Sequence, residues 1–343
     1  VAWLLSWGCN GMSMIAKKLG AAAAGAAGGA VEAGSYIVVA QENGNVLLLD
    51  HTTKGSLSQA SSYNVGSYPY DFAFTPDGNY IAVATYSAVY LLDHTTRGSL
   101  NLADTYSSAG GFGCAFSPDG NYLFVGSTSS TAYLLSHTTA GSLSAADTNS
   151  VAGYGTAGAF SYSGDYVTHG SPVSPYFNLS SHSSGNLSSA TTYSSAGAVG
   201  SRNQNCTFSP DDSYIAVAHD SSPYFTLLSH NSGSVSQAAT LSLVRGRAAA
   251  FSGQGDYIAF VGDSSTMYLI DHTTAGSVST AASINAGGTA FAVDFSADGQ
   301  YIAVGCENNK LTLLDHTTAG SLSVATTYAV DSIAIYSVAF SPD

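Results

Sequence analysis

Charge is what this 343-residue chain has least of: Asp, Glu, Lys and Arg together make up 9% of it, against about a quarter in an ordinary soluble domain. Lys and Arg number 8 against 22 Asp and Glu, and the formal net charge is −14. So few cations rule out non-specific binding to nucleic acid, which needs clustered Lys and Arg against phosphate, and attraction to an anionic membrane surface. The four cysteines do not make a disulfide framework and have no zinc-ligand spacing. Cys114 and Cys206 each fall two residues before a repeated phenylalanine and Cys306 follows a strand pattern, so they read as buried unpaired thiols. Long hydrophobic runs are missing too: the apolar stretch Val1–Ile15 is too short to span a bilayer. Neither Gly-x-Ser-x-Gly, a P-loop nor His-Glu-x-x-His occurs. No catalytic residue, metal or cofactor is therefore expected.

Repetition is what the chain has in abundance. A phenylalanine and a tyrosine six residues apart, bracketing a turn, recur as Phe74…Tyr80, Phe116…Tyr122, Phe160…Tyr166, Phe208…Tyr214, Phe251…Tyr257 and Phe295…Tyr301. A second motif centres on His51, His94, His137, His182, His230, His272 and His316, spaced by 43, 43, 45, 48, 42 and 44 residues. A seventh tyrosine, Tyr36, lacks its preceding Phe-Ser-Pro-Asp, and that piece stands at the other end as Phe340-Ser341-Pro342-Asp343. Seven units with the head of the first carried by the tail of the last describe a closed ring, whereas an open solenoid needs capping repeats. Each unit holds four short strand patterns between Pro/Asp/Gly turns, as in Asp71–Phe74, Tyr80–Ala84, Val89–Leu92 and Ser99–Ser107. The expected fold is all-β: a seven-bladed β-propeller of four-stranded blades over 34–343, closed by the C-terminal strand joining the N-terminal blade.

The run Ala-Phe-Ser-Pro-Asp-Gly-Asn-Tyr, followed by an apolar strand and Leu-Leu-Asp, resembles the WD-repeat and YVTN-type seven-bladed propellers. The Trp-Asp dipeptide of that family is replaced by Leu92-Asp93, Leu314-Asp315 or Leu135-Ser136, and the histidine follows strand three. The family's buried Trp–Ser–His–Asp network therefore does not carry over. The His-Thr-Thr-x-Gly-Ser-Leu element is also similar to repeats of bacteriophage and environmental propeller proteins.

The connections from first to second strand, and mostly those from third to fourth, keep one length, so one face of the disc should be uniform and the other irregular. Binding residues favour variable loops on a rigid scaffold, which puts the functional face on the irregular side. Arg202, Arg245 and Arg247 precede inner strands there, in a chain where positive charge is rare. Arginine suits bidentate recognition of a carboxylate or phosphate; pairing with Asp220 or Asp263 is the plainer expectation. Tyr68, Tyr70, Phe112 and Tyr154 occupy comparable positions and offer a stacking surface. The seven regular histidines read as turn-bonded, because blade symmetry holds them apart around the rim. His169 and His219 lie outside the repeat, and a paired site there is the rarer expectation.

Residues 1–33 differ from the rest, with Ala21–Ala30 almost pure Ala and Gly, and read as an arm that packs on neighbouring subunits. With the low-charge Ser/Thr/Gly composition and the phage-like repeat, the arm implies a non-enzymatic structural or adhesive subunit of a virion or extracellular assembly. A glycan- or protein-binding module, with a glycan or host-surface receptor as partner, is one alternative. A propeller hydrolase or lyase is the other.

Overall fold

A computed structural model describes residues 35–127, 129–151, 158–194, 206–331 and 334–342. The arm expected over 1–33, and with it Cys9, lies outside them. Among the described residues every regular element is a strand, and the strands form seven four-stranded antiparallel sheets. The first blade joins β1 (Tyr36–Gln41), β2 (Asn45–Asp50) and β3 (Ser58–Asn64) to the last strand, β28 (Ile335–Phe340). The second holds β4 (Pro69–Phe74), β5 (Tyr80–Thr85), β6 (Val89–Asp93) and β7 (Asn101–Tyr106). The third holds β8 (Gly111–Phe116), β9 (Tyr122–Ser127), β10 (Thr131–Ser136) and β11 (Ser144–Ser150), and the fourth β12 (Gly158–Phe160), β13 (Tyr166–Gly170), β14 (Phe177–Ser183) and β15 (Asn186–Tyr193). In the fifth are β16 (Cys206–Phe208), β17 (Tyr214–Ala218), β18 (Tyr224–Asn231) and β19 (Ser234–Ser242). The sixth comprises β20 (Gly246–Phe251), β21 (Tyr257–Gly262), β22 (Thr266–Asp271) and β23 (Ser279–Asn285), and the seventh β24 (Ala290–Phe295), β25 (Tyr301–Cys306), β26 (Lys310–Asp315) and β27 (Ser323–Ala329). The inner strands β28, β4, β8, β12, β16, β20 and β24 each touch the next and close a ring.

Burial follows position in the blade. Second strands such as β1 and β25 are buried along their whole length, while outer strands such as β3 and β23 are mostly exposed. Near-continuous apolar runs therefore sit where both faces pack on neighbouring blades, and Ser/Thr-rich segments sit at the rim. Every blade carries a register shift between its third and fourth strands, at Leu48/Leu49, Leu91/Leu92, Leu134/Leu135 and their equivalents. A bulge there adds twist to the outer edge and discourages further strand pairing.

The turn motif explains itself in hydrogen bonds. In the third blade Ser117 Oγ donates to Asp119 Oδ1 at 2.5 Å and accepts the Tyr122 N–H at 3.0 Å, while Asp119 also accepts the Asn121 N–H at 3.0 Å. Gly120 takes φ 73°, a region glycine enters at little cost. The divided first copy is rebuilt in the same way. Ser341 Oγ accepts the Tyr36 N–H at 3.0 Å and the Ser341 N–H donates to Tyr36 O at 2.8 Å. Phe340 pairs with Ile37, and Val338 with Val39.

The repeated histidines weld blade to blade. Six of them place Nδ1 2.7–3.0 Å from a carbonyl oxygen of their own blade's first turn, as a donor. In five blades Nε2 accepts a glycine N–H of the following turn at 3.1–3.4 Å. The ring so held receives the motif tyrosine of the preceding blade edge-on. Tyr36 meets His94, Tyr80 His137, Tyr122 His182, Tyr166 His230, Tyr214 His272, Tyr257 His316 and Tyr301 His51, with centroids 4.8–5.2 Å apart. The seventh contact joins the last blade to the first. No group of three or more His, Cys, Asp or Glu that could hold a metal occurs among the described residues, and Cys114, Cys206 and Cys306 are buried.

The fourth blade departs from the pattern and is repaired by its neighbour. Tyr162 stands where the first, second, third and fifth blades have Pro342, Pro76, Pro118 and Pro210, which adds an N–H. Asp212 of the fifth blade accepts the Tyr162 and Ser163 N–H groups at 2.6 and 2.8 Å, although this requires φ 60° at a non-glycine position.

Because Phe340 is 7% exposed and packs on His51 with centroids 5.8 Å apart, Phe340→Ala should lower unfolding stability in urea by about 3–5 kcal/mol. A cost below about 1 kcal/mol would mean that β28 is not part of the core.

Candidate functional site

The face expected to be uniform is so only in part: its third-to-fourth connections shorten from 51–57 in the first blade to 184–185 and 232–233 in the fourth and fifth. The first-to-second connections are each five residues long where both flanking strands share a blade, from 75–79 to 296–300. Among the described residues, connections on the opposite face run from 243–245 to 171–176. On that irregular face the inner strands carry a second deviation. The register between first and second strands slips at Pro69/Asp71, Gly111/Gly113, Gly246/Ala248 and Ala290/Ala292, and in the first blade opposite Val39/Gln41. The residues left over are Tyr70, Phe112, Arg247 and Phe291, with Tyr336 inside the slip of β28. A bulge re-aims the side chain it releases. Each of these five is half-buried between more buried neighbours.

Together they form an arc over five consecutive blades at the inner rim. Arg247 Cζ lies 5.5 Å from the Phe291 centroid, a cation–π distance. Phe291 stacks on Tyr336 at 5.2 Å, Tyr336 meets Tyr68 at 5.3 Å, Tyr68 meets Tyr70 at 4.7 Å, and Tyr70 meets Phe112 edge-on at 4.9 Å. At the cationic end Arg245 grips Asp220 with two parallel hydrogen bonds of 2.9 and 2.7 Å and reaches Asp263 at 3.3 Å. Arg247 Nε donates to Asp263 Oδ1 at 2.6 Å. The Asp220 hydrogen bond, reinforced by both carboxylate charges, raises the Arg245 guanidinium above its ordinary value.

One residue along β4 from Tyr70, Asp71 is 1% exposed. Its carboxyl accepts the Ser337 hydroxyl at 2.8 Å and the Cys114 N–H at 3.1 Å, tying three inner strands together. Burial pushes its pKa up to about 6 despite those hydrogen bonds.

The structure thus brings Arg245, Arg247, Tyr68 and Tyr70 to one rim, and the arginines take the acidic partners that their neighbourhood offers. Arg202 and Tyr154 lie outside the described residues. Phe291 and Tyr336 belong to the arc but were not singled out from the sequence. The signal was present, since both stand four residues before a motif phenylalanine, as Tyr70, Phe112 and Arg247 do. His169 and His219 do not form a shared site: His219 Nε2 lies 2.9 Å from Thr226 Oγ1, and His169 Nε2 lies 3.5 Å from Ser180 Oγ.

The family model described as "WD domain, G-beta repeat" matches residues 109–135. The chain is a WD-repeat-like propeller. No curated protein matches its sequence. Among solved structures, the periplasmic gluconolactonase of Pseudomonas aeruginosa superposes with TM-score 0.74 at 17% identity, covering 89% of this chain and 98% of that one. A putative 6-phosphogluconolactonase from Bacteroides uniformis gives TM-score 0.75 at 14% identity, with the same coverage. A protein of unknown function from Desulfotomaculum acetoxidans gives 0.74 at 14%, again over 89% and 98%. Likeness at this identity carries the fold.

The neighbours' names nevertheless correct the expectation of a non-enzymatic structural or adhesive virion subunit, since two of the three are named as lactonases. The composition that prompted that expectation has a local cause. Ser, Thr and Asp are consumed by turns: Thr52, Thr95, Thr273 and Thr317 each donate both N–H and hydroxyl to the aspartate two residues before, at 2.6–2.8 Å. Part of the Ser, Thr and Asp content thus serves the repeat's own turns.

A carboxyl whose folded pKa is raised favours the protonated native state, so its contribution is fully present below the unfolded value and lost as pH rises through the folded one. For Asp71 the window runs from 3.8 to about 6. The stability of Asp71→Asn relative to wild type should therefore rise between pH 4 and pH 7, by up to about 3 kcal/mol, in urea titrations. A flat or falling difference would contradict a protonated Asp71.

Proposed function

We propose that the propeller is a hydrolase acting on a small sugar lactone at its irregular rim. The reading rests on one arrangement: a half-buried aromatic arc that ends in Arg247, with Arg245, Asp220 and Asp263 beside it. The aromatic faces offer a platform for the carbon face of a sugar ring. Lactone opening requires a water proton to be accepted and negative charge on the carbonyl oxygen to be stabilised. In this reading Asp263 takes the proton as water adds to the carbonyl carbon, and a guanidinium donates to the developing oxyanion. The ring C–O bond then breaks and its oxygen takes the proton back, giving a hydroxy acid. The lactonase names of two structural neighbours supply the substrate class.

The test is pH-stat titration of D-glucono-δ-lactone and its 6-phosphate with purified protein. Hydrolysis above the spontaneous rate is expected, with kcat/KM falling about 100-fold in Arg247→Ala, the scale for loss of an oxyanion donor. No turnover of either lactone, or a variant as fast as wild type, contradicts the reading. Ring binding by the arc without turnover would instead leave a glycan-binding module.

A further inference from the structure

The fourth blade holds a polar cavity that no part of the rim uses. At the third residue after the motif tyrosine six blades place Val39, Val83, Val125, Val217, Phe260 and Val304, whereas the fourth places His169. Opposite it across the ladder stands Asn178, where the second, third and sixth blades have Tyr90, Tyr133 and Tyr268. Exchanging a tyrosine for an asparagine removes volume, and exchanging a valine for a histidine adds polarity.

A cavity of about 190 Å³ results, lined by Ser150 and Val151 from the third blade and by His169, Asn178, Ser180 and Thr191, among others, from the fourth. His169 is 1% and Asn178 7% exposed. His169 Nδ1 and Asn178 Nδ2 are both buried without a hydrogen-bond partner. Two orphaned polar atoms on residues that line one space are costly unless something fills it. A single water needs only about 10–15 Å³ of such volume, so the cavity has room for a larger occupant.

The lining defines that occupant. Among the described residues it contains no Asp, Glu, Lys or Arg, and burial drives the His169 pKa down to about 4, leaving the ring neutral. A charged ligand would lose its hydration with no counter-charge in return. Ser150, Ser180, Ser189, Thr191 and Thr192 are among the residues that line the site, with Val151 and Pro175 as apolar members. Phe124 stacks on His169 at 5.7 Å. Ser189 and Thr192 are exposed, so the site is reachable from the blade's outer strand.

We infer that this cleft between the third and fourth blades is a binding site for a small uncharged polyol of glycerol to pentose size, with His169 and Asn178 as its buried hydrogen-bonding pair. It does not depend on the lactone reading, since none of its residues belongs to the rim.

The test compares thermal unfolding of wild type and His169→Val/Asn178→Tyr in glycerol, erythritol and D-xylose, with D-gluconate as a charged comparator. The double variant copies the residues of the second and third blades, and His169→Val alone serves if it fails to fold. Polyols stabilise all proteins weakly by exclusion from the surface, so the readout is a saturable difference between the two proteins. Wild type should gain roughly 4 °C at a hundredfold excess over Kd for at least one neutral probe. The variant should show no saturable gain, gluconate should give none with either protein, and lactone hydrolysis should be unchanged. Absence of any saturable shift in wild type, its persistence in the variant, or an equal response to gluconate overturns the assignment.

Discussion

Everything in this molecule depends on a contact made seven times: the tyrosine that opens one blade's second strand lies edge-on against a histidine of the next. The histidine is suited to the place because its two nitrogens do different work. Nδ1 donates to its own first turn and Nε2 accepts from a glycine of its own third-to-fourth turn in most blades, so the ring is fixed before the tyrosine arrives. Glycine then leaves room for the phenol: a Cβ at Gly141 would lie 3.3 Å from Tyr80 Oη. An aromatic pair of this kind contributes about 0.5–1.5 kcal/mol beyond the area it buries. Seven in a ring give a stiff frame from individually modest interactions.

That frame occupies the uniform face, and its regularity releases the other. Where blades are held by their turns, the opposite ends of the inner strands tolerate bulges, and the bulges turn Tyr70, Phe112, Arg247, Phe291 and Tyr336 toward a common rim. Scarce positive charge is placed there too, with Arg245 and Arg247 facing Asp220 and Asp263. Scaffold and site thus occupy opposite ends of the same strands.

Repetition made the architecture legible before any coordinates, since a tyrosine without its turn and a turn without its tyrosine imply closure. The aromatic arc was half legible. Tyr68, Tyr70 and Phe112 stood out by place, whereas Phe291 and Tyr336 hold the same place, four residues before a motif phenylalanine, and were passed over. The repair of the fourth blade was hidden for another reason: Tyr162 and Asp212 are 50 residues apart, and only the curvature of the ring brings them together. The cavity beside His169 required the cross-strand register, since its cause is a pair of exchanges on two strands. The virion reading rested on composition and a repeat resemblance, and part of that composition serves turn chemistry.

Native-state hydrogen exchange of Tyr301→Ala beside Tyr122→Ala tests the ring directly, because the first opens the contact between last and first blades and the second opens an interior one. A closed ring predicts that both variants lose slow-exchange protection in all seven blades by a similar factor. Protection lost only in the two blades flanking each substitution, or a Tyr301→Ala variant that exchanges like wild type, would contradict it.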